Sequence, residues 1–236
     1  MDQKEKSSFI NSVYTVLKQR IYSQALADNY SSGSFTKEYS TYKEKKEDMS
    51  SYPFVFCDIM GLSEGEEALQ EDVKLALRGH VKEGYRFKPE KLCEGDKFYQ
   101  QTPDPNDKVH VLVCVIPADK IGMTSDEVVD KIRSIREDAS SLHISQIAII
   151  TKIDEFDPDL KKDIKNVYKL KSMKEKMEKF SSLVGIPMNR IFPVKNYHEE
   201  IDLNDDIDSL ILSAMRHILN CGNDCINFHH NWVGSS

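Results

Sequence analysis

Two runs of this chain admit few folds. Residues 109–116 (VHVLVCVI) are nearly all apolar, and residues 146–151 (QIAIIT) carry four apolar residues between polar ends. A strand with one wet face alternates apolar and polar residues, whereas a continuous apolar run needs cover on both faces. That condition is met inside a mostly parallel sheet with helices above and below it. The shorter run 54–57 (FVFC) has the same character and predicts a strand buried on both faces, and 190–194 predicts a short last strand.

Helix-period segments lie between these runs. Phe9, Val13, Leu17 and Ile21 predict an amphipathic helix over 7–21, and Leu69, Val73, Ala76 and Leu77 predict one over 64–78 with Gly79 as its stop. Thr124 and Glu127 have capping-box spacing just before Val128, Ile132 and Ile135. Met173, Met177, Phe180 and Val184 share a face that Gly185 ends, and 205–220 predicts a final helix. Residues 37–47 suggest a solvated, charge-protected edge strand. The fold class is therefore α/β, a mostly parallel sheet with helices on both faces. A single domain over 1–220 is expected, with an insertion at 80–108 ordered through Tyr85 and Phe87, and a tail over 221–236. Ligands of such sheets sit outside the carboxyl ends of the strands.

Composition excludes several functions. A net charge of −7 gives no nucleic-acid surface. The five cysteines are Cys57, Cys93, Cys114, Cys221 and Cys225, an odd number with two in expected strands, which suits a reducing compartment better than a disulfide framework. No run is apolar and long enough to span a bilayer, and the N-terminus does not resemble a signal peptide, so a cytoplasmic protein is expected.

Three strand ends carry chemistry. The run 54–57 stops at Asp58, and Gly61 follows at the spacing of Asp-x-x-Gly, the half of a P-loop site that senses Mg²⁺ and the terminal phosphate. Thr151-Lys152-Ile153-Asp154 follows the run 146–151. One carboxylate can accept both adjacent donors of guanine, a pair that adenine lacks, so Asp154 selects guanine while the Lys152 stem lies along the base. Lys195, after the last strand, sits where a loop backs the base. Lys6-Ser7-Ser8 opens the first helix where a P-loop has Lys-Ser, with Ser7 beside Asp58 as the second Mg²⁺ group.

The phosphate end departs from the pattern. Glu5 stands where the P-loop has Gly, and the earlier glycine and its strand would precede Met1. Losing four charge-assisted bonds at roughly 1.5 kcal/mol each costs about 6 kcal/mol, or about four decades in affinity. Leu62 replaces the residue that orients water in many small GTPases, so hydrolysis is not expected. Ser31, Ser32 and Thr36 are the candidates for a switch residue on Mg²⁺.

Ser7-Ser8-Phe9-Ile10-Asn11-Ser12-Val13 and Cys57-Asp58-Ile59-Met60-Gly61-Leu62-Ser63 resemble the GTPase-like region of the interferon-induced protein 44 family. So do 79–87 and the segment 206–214 with its Leu210-Ile211-Leu212-Ser213-Ala214 ending. The likeness runs over nearly the whole chain, and 79–87 is specific to that family. It implies a cytoplasmic, interferon-inducible protein of the antiviral response with a P-loop GTPase-like fold. It also implies a glycine-rich P-loop with further chain before it, so that this chain is expected to be truncated inside the P-loop, without the first strand. In the strand order of small GTPases that strand lies between the runs 54–57 and 109–116. The two flanking strands are then expected either to close up or to keep buried, unpaired edges.

Two functions follow from the residues and the likeness together. One is a G domain that binds GTP or GDP with Mg²⁺, weakened at the phosphates. The other is a pseudo-GTPase that binds a protein partner and no nucleotide. Two lesser features add a third class, a metal-binding or membrane adaptor. Cys221, Cys225 and His229 recur every four residues, against an inert reduced tail, and the lysines over 161–179 are interspersed with Glu175 and Glu178 as on a solvated helix face.

Overall fold

The computed structural model describes residues 3–25 and 38–233. The switch candidates Ser31, Ser32 and Thr36 lie outside the described residues. Among the described residues five strands divide into two sheets. In the smaller, β1 (Ser40–Tyr42) pairs antiparallel with β2 (Phe56–Asp58), placing Ser40 opposite Asp58. In the larger, β4 (Ser145–Thr151) lies between β3 (Val111–Pro117) and β5 (Ile191–Pro193) and runs parallel to both. Val115 faces Ile149 in the first pairing and Ile150 faces Pro193 in the second.

The pleat sorts the apolar residues of β3 and β4 into two cores. Cys114, Ile116, Ala148 and Ile150 join the core beneath α2 (Glu67–Leu77), α3 (Asp126–Ser141) and α6 (Lys171–Val184). Val115, Ile147 and Ile149 join the opposite core, beneath α1 (Gln3–Lys18) and α7 (Asp205–Val233). Alternation with period two, on strands apolar throughout, is what lets one sheet hold two helical layers. Two short helices, α4 (Ile153–Phe156) and α5 (Pro158–Lys162), follow β4.

Several expectations change. The run 54–57 is not buried on both faces: Val55 is 46% exposed and Cys57 is exposed, while Phe54 and Phe56 are partly buried on the α1 side. It behaves as a strand with one wet face, its alternate residues Phe54 and Phe56 turned to the α1 side, and among the described residues β2 is hydrogen-bonded only to β1. Among the described residues β2 and β3 do not close up into one sheet. Residues 3–6 are helical, so no strand precedes α1 among the described residues.

The first helix is also more deeply set than an amphipathic stripe requires. Phe9 and Val13 face one core, and Ile10 and Tyr14 face a third cluster with Tyr22 and Ala25. Two of its buried polar residues are satisfied by the segment that follows it. Asn11 bonds both the carbonyl and the N–H of Ala25, at 2.9 and 2.8 Å, and Thr15 accepts from the Tyr22 N–H at 3.0 Å. The capping box at Thr124 does not form. Glu127 instead accepts from the Gly65 N–H at 2.7 Å and pairs with Lys131 at 2.8 Å. The last helix runs on through Cys221 and Cys225 to Val233, past the expected end at Asn220.

The segment 80–108 is ordered by burial of Tyr85, Phe87, Leu92 and Tyr99. Its anchor is Asp72 on α2, which accepts from the Tyr85 hydroxyl and the Leu92 N–H, each at 2.7 Å.

Candidate functional site

The carboxyl ends of β2, β4 and β5 converge on the first turns of α1. Ser7 donates its hydroxyl to Asp58 Oδ2 at 2.8 Å, and both residues are buried. Asp58 Oδ1 is also buried and has no hydrogen-bond partner among the described residues. Burial lifts the Asp58 carboxyl above its usual range, opposed by the Lys6 charge and by the Ser7 hydroxyl. Ser8, half-buried, turns its carbonyl to the Ser12 hydroxyl at 2.7 Å. Gly61 is buried, and Leu62 beside it is 6% exposed and packs in the core, so it has no access to a site.

At the end of β4, Thr151 is fully buried, and its hydroxyl has no hydrogen-bond partner among the described residues. Lys152 adopts left-handed backbone angles (φ 55°, ψ 37°) that turn the chain from the strand into α4. Its ammonium lies 3.7 Å from Glu5 Oε1 and 3.6 Å from Glu155. Asp154, in the first turn of α4, lies 3.4 Å from the Lys195 ammonium, which also pairs with Glu200 at 2.8 Å. Burial alone would raise the Glu200 carboxyl, yet the His198 N–H and Lys195 hold it down at about 2. Burial opposes the charge of Lys195, but Glu200 and Asp154 outweigh it and raise its pKa.

Glu5 joins the two ends. It is 4% exposed, and its carboxylate takes the Asn196 amide at 3.3 Å as well as facing Lys152. The sequence shows Glu5 as a departure from glycine, but not that it reaches across to β4 and β5. Asn196 stands in the loop Val194-Lys195-Asn196-Tyr197 that the sequence places behind the base, whereas Glu200 carries no motif. Only the position of Glu200 near Lys195 could have drawn attention to it.

The structure thus brings together Lys6, Ser7 and Asp58 at one end and Lys152, Asp154 and Lys195 at the other, with Thr151 buried between strand and turn. Ser7 and Asp58 are oxygen donors of the kind a hydrated Mg²⁺ accepts, and Asp58 Oδ1 has spare capacity. The phosphate position fits less well. Nucleotide phosphates would lie against the N-terminus of α1, where the Glu5 carboxylate is buried, and like charges at that spacing repel.

The tail does not gather a metal centre. Among the described residues no three His, Cys, Asp or Glu side chains are grouped to hold an ion. Cys225 Sγ lies 3.7 Å from His229 Nδ1, but that nitrogen is 2.8 Å from the Cys225 carbonyl. The lysines of α6 form exposed pairs one turn apart, Lys171 with Glu175 at 3.4 Å and Lys174 with Glu178 at 3.6 Å. No helix among the described residues is long and apolar enough to cross a membrane.

No family model and no solved structure matches this chain. Curated proteins do. The chain is homologous to interferon-induced protein 44, with 35% identity to the mouse protein over 221 residues and 31% to the human one over 222, each covering 93% of this chain. Human interferon-induced protein 44-like is 27% identical over 223 residues, again 93% of the chain. The matched region is 52%, 50% and 49% of those three proteins, so the chain spans about half the length of the curated relatives it matches.

Proposed function

We propose that this homologue of interferon-induced protein 44 is an interferon-inducible, cytoplasmic interaction module of the immune response. Its α/β fold is of the guanine-nucleotide-binding kind, with the nucleotide position closed by its own side chains. The observation that carries this pseudo-GTPase proposal is the buried Glu5 carboxylate between Lys152 and Asn196. A phosphate brought within about 4 Å of that carboxylate meets a repulsion on the order of 4 kcal/mol at an effective dielectric of 20. At the base end, Asp154 would have to leave Lys195 before it could accept from guanine.

A second proposal, weak binding of GTP or GDP with Mg²⁺, is favoured by one observation: Ser7 and Asp58 remain side by side with the Lys6 charge next to them. Titration of a fluorescent GTP analogue in millimolar Mg²⁺ separates the two. The pseudo-GTPase expectation is no saturation below about 100 μM, a binding free energy near −5.5 kcal/mol. Saturation below that concentration, abolished by Asp154→Ala, would overturn it in favour of a nucleotide switch.

A further inference from the structure

α7 carries more apolar side chains than its own core needs. Ile207, Ile211, Ala214, Met215 and Ile218 form the stripe that closes the core beneath it. Beside that stripe Leu212, Leu219 and Ile226 recur at intervals of seven residues, a spacing that returns to within about 20° on a straight helix. Leu219 is half-buried, whereas Leu212 is 44% exposed and Ile226 is 38% exposed. From Leu212 to Ile226 the second stripe spans about 21 Å of helix.

This stripe borders an apolar groove. Leu17 of α1 and Phe54, ahead of β2, line it together with Leu212, Met215 and Leu219 of α7, around a volume of about 240 Å³. Arg216 is the one charged residue in the lining, and among the described residues no carboxylate pairs with its guanidinium. It is also the one Asp, Glu, Lys or Arg over residues 209–223. Leu17 lies about 15 Å along α1 from Ser7, so the groove is separate from the nucleotide position.

We infer that this groove docks an amphipathic helix of another protein, whose apolar residues recur every seventh position and whose carboxylate pairs with Arg216. α1 and α7 spend their backbone hydrogen bonds within their own helices, so they offer an occupant side chains alone. A helix laid along α7 matches the seven-residue repeat and buries Leu212 and Ile226, the mode in which a partner's apolar face fills a groove. The charge fixes the partner's chemistry. A guanidinium at the edge of an apolar groove favours a carboxylate over a neutral or cationic group, and more so as the docked helix excludes water. A second copy of α7 supplies none there, since its residues 209–223 contain no Asp or Glu. The groove names the partner class for the interaction module proposed above and rests on that reading for its biological use. The peptide titration is independent of the nucleotide titration, so either can fail alone.

The test uses the whole chain and a fluorescein-labelled helical peptide with leucine at every seventh position, alanine on the rest of that face, and one glutamate a turn from the central leucine. A control peptide carries lysine in place of the glutamate. Anisotropy titration should give saturable binding, at least fivefold tighter for the glutamate peptide. Arg216→Glu should reverse that preference. Leu212→Asp, at an exposed position, should weaken both peptides at least tenfold and leave the melting temperature within a few degrees. No saturable binding, a preference that Arg216→Glu does not reverse, or binding that Leu212→Asp leaves unchanged would overturn the proposal. Self-association in sedimentation that Leu212→Asp abolishes would also overturn it, assigning the groove to a second copy of the chain.

Discussion

Ser7 and Asp58 are 51 residues apart in the chain, and the Ser7 hydroxyl donates to Asp58 Oδ2 at 2.8 Å. The bond ties the first turn of α1 to the end of β2, so it stabilises the edge of the sheet whatever else the pair does. Ser7→Ala removes the hydrogen bond to Asp58 Oδ2 and leaves that carboxylate buried without it. We expect a loss of about 1–3 kcal/mol in unfolding free energy, measured by urea titration. A change within about 0.3 kcal/mol would show that the bond contributes nothing net.

Asp58 also makes stability depend on pH. Burial holds its folded carboxyl above the usual range, in spite of Lys6 and Ser7. Its ionised form therefore costs stability at neutral pH, and the cost is relieved as pH falls through the folded pKa. Asp58→Asn carries no such titration. Its stability relative to the wild type should be most favourable at pH 7 and should decline toward pH 4. Parallel melting curves would show the opposite slope if the carboxylate is net stabilised when charged.

Glu5 and Lys152 should be energetically coupled. The pair is 3.7 Å apart, with Glu5 buried and Lys152 29% exposed at its side chain. A double-mutant cycle of Glu5→Ala and Lys152→Ala should give a coupling of about 0.5–1.5 kcal/mol, at the lower end of contacting pairs because solvent reaches the lysine. Additive losses would mean that the two ends of the site are held by other contacts.

Asp72 holds the segment 80–108 to α2 through the Tyr85 hydroxyl and the Leu92 N–H. Asp72→Ala leaves both donors buried without an acceptor, at roughly 1–3 kcal/mol for each such group. Protease cleavage within 80–108 should accelerate by at least tenfold, while cleavage in α7 keeps pace only with global stability. Uniform acceleration along the chain would mean that Asp72 supports the whole core and not this segment in particular.

The helix α6 was legible because Met173, Met177, Phe180 and Val184 repeat on one face and Gly185 caps them with φ 75°. β3 and β4 were legible because continuous apolar runs have few other uses. The fate of the run 54–57 was not legible, since four apolar residues look alike whether a neighbour covers them or not. Whether Val55 is buried depends on what packs over its face, which is a property of the assembled fold. The capping box at Thr124 failed for a similar reason. Glu127 found a better partner in Lys131 and the Gly65 N–H, a contact 62 residues away.

The same division holds at the site. Local sequence determined which residue types stand at the strand ends: Asp58, Lys152, Asp154 and Lys195, with Lys6 and Ser7 opening α1. Short-range periodicity and turn chemistry are enough to place them there. Only the tertiary structure decided their partners: Asp58 with Ser7, Asp154 with Lys195, and Glu5 with Lys152 and Asn196. Charges choose partners by distance across the fold, and a chain read in one dimension carries no such distances.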